Sequence, residues 1–361
     1  MRNRDLLHKR LSPFVSIIFG FLIGFALLLI LGYDAAAGFG FLFQGGILGL
    51  AEGDFRQFGN VLLNMTPLIL SGLSIAFAFK TGLFNIGVAG QLLFGGFMAV
   101  AAGHLLELPR IVHVPVVILA AMAGGAVWAA VPGLLKAKFR INEVVTGIMM
   151  NYIALWGVRW FSSAWLTGPD VTQSAAIRET ATLRSPWLTD LFDRSNVNYG
   201  LFIAIAACIV VWFILEKTTF GFELKAVGYN QNAAEYAGMK VTRNILLSML
   251  IAGALAGLSG ATLYTGFSDR LTGLGSMPSQ GFDGIAVALL GLNSPLGVFL
   301  AAFFLGYMNI GGAYMQVMAR IPAELVSIII STIIYFAALS LLIEGWLRKL
   351  SSKKKDQGGA K

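Results

Sequence analysis

The stretch TGLFNIGVAGQLLFGG, residues 81–96, sets two amides, Asn85 and Gln91, among five glycines in an otherwise apolar run. Amides donate and accept hydrogen bonds without titrating, so the chemistry open to them is recognition. Glycine at this density lets a helix start late or break, which bares backbone groups beside the amides. A second stretch, INEVVTGIMMNYIA at 141–154, follows a basic turn. Its Asn142 is placed to cap a helix, Glu143 sits in the first turn where the helix dipole favours an acid, and Asn151 follows two to three turns in. Each amide has two readings: it lines a pathway for a polar solute, or it ties one helix to the next. Glu143 reads as a cap or gate, and Asp283, near the end of an apolar run, completes the pathway candidates.

Covalent and metal chemistry have no such footing. The sequence holds no G-x-x-x-x-G-K-[ST] loop for nucleotide phosphates, no HExxH, and no Ser-His-carboxylate set that a topology could converge. His8, His104 and His113 are scattered without ligand spacing, and the single Cys208 lies inside an apolar run. No catalytic residue, metal site or cofactor is expected. Carboxylates at membrane depth are sparse, since Asp283 and Glu324 stand near segment ends rather than in a relay, which weighs against a proton-driven carrier.

The elements that position these residues follow from composition. With 57% hydrophobic and 12% charged residues and a mean hydropathy of +0.76, the chain is too apolar for a soluble domain. An all-α polytopic membrane protein is expected, forming a single transmembrane domain over 1–361. Apolar segments near the length of a bilayer crossing run at about 12–32, 60–80, 83–103, 114–135, 143–163, 199–215, 245–266, 295–313 and 322–343. The first is longer than a signal-peptide core and reads as an uncleaved span.

Basic residues orient the chain, because Lys and Arg near helix ends favour the cytoplasmic side. Both tails, 1–11 and 347–361, are basic, so both termini are expected inside, which requires an even number of crossings. Alternate counting then places all twelve lysines inside, together with the whole of 217–244, and leaves the lysine-free loop 164–198 outside. Parity demands a tenth segment at 280–293, a short or broken helix turning at GLNSPLG; a re-entrant loop is its rival. The net charge of +8 is explained by this inside-positive bias and needs no nucleic acid. The expected location is the plasma membrane of a prokaryote, with lipid as the surrounding partner.

Helix association in lipid relies on close backbone approach. Gly20 with Gly24, and Gly253, Gly257 and Gly260, supply small faces in the first and seventh spans. The polar segment 217–244, KTTFGFELKAVGYNQNAAEYAGMKVTRN, is the longest cytoplasmic loop on this scheme. Asn230 or Asn232 can cap a short helix through AAEYAGM, with Ala233, Tyr236 and Ala237 on one face and Gly238 at its stop. Such a peg, tethered to spans on both sides, is either a lever or a solvated connector.

The phrase GFELKAVGYNQNAAEYAGMK resembles the coupling loop of ABC-transporter permeases, with Ala233, Ala234 and Gly238 at the matching small positions. FNIGVAGQ at 84–91 and INEVVTGIMMNYIA at 141–154 are similar to the nucleoside and simple-sugar import branch, related to the ribose and branched-chain amino acid permeases. The three blocks come in the expected order over roughly 60–345. One departure is Ala89, where the NIGxEGQ-like block would carry an acid. The resemblance implies a permease subunit of an ATP-driven importer, with nucleosides favoured over sugars as solute. Its partners would be an ABC ATPase, a second homologous permease and an extracytoplasmic solute-binding protein, with ATP hydrolysis on the ATPase. It further implies that Gly221, Lys225, Gly228, Asn230, Ala233, Ala234 and Gly238 form the ATPase-coupling set. A stand-alone secondary transporter is the rival reading.

Overall fold

The computed structural model describes residues 2–48, 53, 55–168, 170 and 172–339. The basic segment 347–361 and the end of the last expected span lie outside the described residues. Fourteen α-helices carry the described chain: α1 (Arg2–Ile30), α2 (Ala35–Phe43), α3 (Phe55–Lys80), α4 (Val88–Leu105), α5 (Arg110–Phe139), α6 (Glu143–Trp165) and α7 (Pro186–Leu191), then α8 (Gly200–Lys217), α9 (Thr219–Tyr229), α10 (Gln231–Tyr236), α11 (Val241–Ala261), α12 (Ser279–Leu290), α13 (Pro295–Met318) and α14 (Ala323–Ala338). Among the described residues β pairing is limited to isolated bridges.

Every one of the ten expected segments holds a helix. Six are long and apolar enough to cross a bilayer: α3, α4, α5, α8, α13, and α11 with the turn that extends it to Phe267. Val15–Ile30 and Ala323–Phe336 are shorter apolar helices, and α6, at 23 residues, has the length but a more polar sequence. The pattern missed α2, whose N-terminus Asp34 caps by accepting from Ala37 N at 2.9 Å, and the π turn Gln44–Leu48 that follows it. Fourteen residues of helix rise only about 21 Å, so a length criterion passes over them.

Contacts group the chain into two compact units, residues 1–53 with 307–361, and residues 54–306. In the first, α1 lies against α14: a Cβ on Gly20 would come 2.7 Å from Ile333 Cα, and one on Gly24 2.9 Å from Ile329 Cγ2. Phe21, Phe25, Phe39 and Phe43 form an aromatic cluster between α1 and α2, with ring centroids 5.4–6.5 Å apart.

The second unit is built around α11, which packs on α3, α4 and α5. At the glycines the backbones of α5 and α11 touch directly: a Cβ on Gly125 would strike the Gly253 carbonyl and the Gly257 backbone, and one on Gly257 the Ala121 carbonyl. Gly260 sits the same way against Gly96 of α4, so the small face expected on this span is a three-helix seam.

Hydrogen bonds and contacts mark the two ends of this unit. At one end stand Lys80, the Lys136–Glu143 ion pair, and the segment 217–244. At the other, the 164–198 segment bonds to the end of α4 and to residues 265–274. The short α12 settles its own topology. Leu274 N bonds to Thr172 O at one end, while Leu292 and Asn293 stand beside Lys80 at the other, so 275–291 traverses the unit and does not re-enter. α12 supplies twelve residues of that crossing, packed through Gly281 on Ala89 and through Gly284 on Ser71.

Candidate functional site

The 81–96 block does start its helix late. After Lys80 the chain turns through Gly82, at φ +73°, and stays non-helical until Val88, so the boundary lies five residues past the expected one. The amides occupy this break. Asn85 Nδ2 donates to Gln91 Oε1 at 2.9 Å and Gln91 Nε2 donates back to Asn85 Oδ1 at 3.0 Å. From α6, Asn151 accepts from Gly90 N at 2.8 Å and donates to the Ile86 carbonyl at 3.0 Å. It therefore supplies the two bonds that the interrupted backbone cannot make with itself. All three side chains are buried. Gly87 and Gly147 allow the approach, since a Cβ on Gly147 would lie 3.0 Å from Gly87 N. Asn151 thus ties α6 to the start of α4, while Asn85 and Gln91 close on each other within one segment.

Asn142 caps α6, accepting from Val144 N at 2.8 Å, and Glu143 pairs with Lys136 of α5 at 2.8 Å, locking the turn between those helices. Asp283 is half-buried on α12, bonded to Ser279, and makes no bond to the amide cluster, although Gly281 of the same helix rests on Ala89. That contact explains the departure at Ala89: it is fully buried, and a larger acidic side chain would push α12 away.

The 217–244 segment folds as two helices, where sequence reasoning expects one. Thr218 caps α9, accepting from Gly221 N at 3.1 Å, and Leu224 and Val227 face inward. The Thr cap followed by Leu224 and Val227 at i, i+3 is the signal that could have found it. A Cβ on Gly221 would strike the Ile214 carbonyl and one on Gly228 the Lys80 carbonyl, so both glycines seat α9 on neighbouring spans. Lys225 pairs with Glu216 at 2.7 Å.

Asn230 is the cap of α10, accepting from Ala233 N at 3.0 Å. Ala234 is buried among Ala78, Leu83, Ile245 and Met249, and Gly238 ends the turn at φ +83°. This φ is one that an L residue enters only with strain. Ala233, Tyr236 and Ala237 remain exposed, Tyr236 at 94%, so the expected face points outward. Beneath α10 lies a cleft of about 270 Å³ lined by Lys136, Arg140, Gln231, Asn232, Glu235 and Thr242.

The opposite end is closed by an ordered cover whose structure the sequence did not announce. Ser174 N bonds to Leu271 O, Ile177 N to Asp269 O and Leu183 N to Thr265 O, at 2.9–3.0 Å. Arg184 pairs with Asp269 at 2.6 Å, and the buried His113 joins Thr180 Oγ1 at 2.8 Å to the Ala102 carbonyl at 3.2 Å. The Thr172 hydroxyl beside Asp170 holds that carboxyl below the usual carboxylate range. The described residues hold no group of His, Cys, Asp and Glu that could bind a metal.

Residues 57–338 match the family described as branched-chain amino acid transport system / permease component. The chain is 44% identical over 349 residues to the guanosine ABC transporter permease protein NupP of Bacillus subtilis, covering 96% of this chain and 99% of that protein. It is 38% identical over 367 residues to the nucleoside ABC transporter permease protein NupB of Lactococcus lactis, covering 100% and 99%. It is 34% identical over 344 residues to the glucose ABC transporter permease protein TsgB13 of Haloferax volcanii, covering 91% and 87%.

Proposed function

The chain belongs to the family of branched-chain amino acid transport permease components, and from that membership we propose that it is the membrane-spanning subunit of an ATP-driven importer for nucleosides. The observation that carries the solute class is the 44% identity, end to end, with a permease named for guanosine. A simple sugar is the second reading, favoured by the 34% identity with a glucose permease.

On this reading the end of the second unit that bears Lys80, Lys136 and 217–244 is cytoplasmic, the cover made by 164–198 with 265–274 is extracytoplasmic, and the basic termini are retained in the cytoplasm by their charge. The exposed face of α10 docks on a separate ABC ATPase, which hydrolyses the ATP. A second homologous permease completes the pathway, and a solute-binding protein delivers to the cover. Closure of the ATPases moves α10, and the glycine seam lets the spans slide past one another between inward- and outward-facing arrangements. The route passes beside the Asn85–Gln91–Asn151 cluster and Asp283, where parting of the amide pair would free donors and acceptors for a polar solute.

Uptake in vesicles carrying the assembled transporter tests this. Guanosine entry that survives a protonophore and stops when ATP is withheld supports the proposal. Entry driven by an ion gradient without ATP sinks it, and ATP-driven uptake of pentose with no uptake of nucleoside moves it to the sugar reading.

A further inference from the structure

The first turn of α11 lacks a cap of its own. Its N-cap, Lys240, makes no side-chain cap bond, and it places a cation where the helix dipole is unfavourable to one. The missing anion comes from α9. Glu223 Oε2 accepts from Asn244 Nδ2 at 2.8 Å and from Arg243 Nη2 at 3.1 Å. Asn244 is fully buried and its Oδ1 has no partner among the described residues, whereas its Nδ2 is held by Glu223. The ion pair of Lys225 with Glu216 is as exposed as that of Arg243 with Glu223, and either alone is a weak tie; what sets Glu223 apart is its bond to the buried Asn244.

Glu223 and Asn244 are 21 residues apart, and α10 hangs in the loop that their bond closes. α9 is also wedged, through Gly221 on α8 and through Gly228 on the end of α3. α10 rests on α11 through Ala234, buried with Ile245 and Met249, and is otherwise joined to α9 and to the foot of α11 by two short hinges, at Asn230 and at Ala237–Lys240. Without the carboxylate those hinges would take up the displacement. With it, α9 and the foot of α11 form one body, and α11 is the helix whose glycine seam reaches α4 and α5.

We infer that Glu223 is a positioning residue that joins the coupling segment to α11, so that displacement of α10 is passed into the glycine seam. This rests on the proposal that α10 docks on an ATPase, and it assigns the next step inward.

The test uses the full transporter with its ATPase and binding protein in proteoliposomes, reading ATPase co-purification, ATP hydrolysis and solute uptake separately. Glu223→Ala should keep the ATPase bound and hydrolysing while uptake per ATP falls at least about tenfold. Glu223→Gln, which keeps an acceptor for Asn244, should fall between Glu223→Ala and the unaltered protein. A structural loss alone would lower all three readouts together. In a second arm, Glu223→Cys with Arg243→Cys, bridged by a short thiol cross-linker, should retain uptake because the joint moves as one piece. Unchanged uptake per ATP in Glu223→Ala overturns the inference, as does cross-linking that stops uptake and is reversed by cleaving the linker. Loss of the ATPase in Glu223→Ala would make the residue a docking contact and equally overturn the transmission role. Substitutions on the exposed face of α10 that leave the ATPase bound would instead remove the docking proposal.

Discussion

Asn85 and Gln91 bond one another twice across the break before α4, each giving one of its two amide hydrogens and taking one, with both side chains 1% exposed. A pair closed in this way is worth little more than its hydrophobic replacement but is costly to halve. Either Asn85→Ala or Gln91→Ala should destabilise by about 1–3 kcal/mol, the penalty of one buried unpaired amide. Asn85→Ala combined with Gln91→Ala should cost less than the sum of the single changes. Thermal unfolding in detergent, run as a double-mutant cycle, measures the difference, and strict additivity would mean the two amides do not meet.

The seam between α5 and α11 makes a steric prediction. A Cβ at Gly257 would strike the Ala121 carbonyl, whereas one at Gly40 of α2 would meet nothing within 4 Å. Gly257→Ala should cost roughly 1–3 kcal/mol through forced separation of the helices. Gly40→Ala should be neutral or slightly stabilising, because alanine is the better helix former. The contrast between two chemically identical changes, read as melting temperatures, tests the seam and not glycine propensity.

The spans were legible because apolar runs of crossing length have few other uses, and the late start of α4 was legible because glycine crowds Asn85. The short elements were not. α2 and its π turn are apolar but too short for a length criterion, and α9 lies in a segment whose polarity suggested a connector. Of the site, the cap at Asn230 and the stop at Gly238 follow from local rules that hold within a few residues. The partners of Asn151, Glu223 and His113 lie 65, 21 and 67 residues away, and no local pattern fixes such distances. Likewise Ala234 differs from Ala233 only in facing α3 and α11, which the i, i+4 rule cannot say before the neighbours are known.

For α10, cap and stop should separate from surface. Asn230→Ala removes the bond to Ala233 N and should cost about 1 kcal/mol, a typical N-cap value. Gly238→Val forces a β-branched residue to φ +83° and should be the more damaging of the two. Tyr236→Ala, at a side chain 94% exposed, should leave the melting temperature unchanged. All three should weaken ATPase co-purification. Normal retention of the ATPase by Gly238→Val would show that the shape of this turn is not what the partner reads.

The cover over the other end is held by ties of unequal worth, and burial ranks them. Arg178 reaches Glu107 at 2.6 Å, but the side chains are 45% and 75% exposed, so Arg178→Ala should cost no more than about 1 kcal/mol, as exposed pairs do. His113 is fully buried and bridges the half-buried Thr180 to Ala102, so His113→Leu removes both bonds at once and should cost about 1–3 kcal/mol. Arg184 falls between, because Asp269 keeps a bond from Thr182 when the guanidinium is removed. Hydrogen exchange over residues 174–199 and 265–274 should therefore accelerate most in His113→Leu, less in Arg184→Met and least in Arg178→Ala, with 217–244 unaffected. If Arg178→Ala proved the most disruptive, charge at the rim and not the buried imidazole would be what holds the cover down.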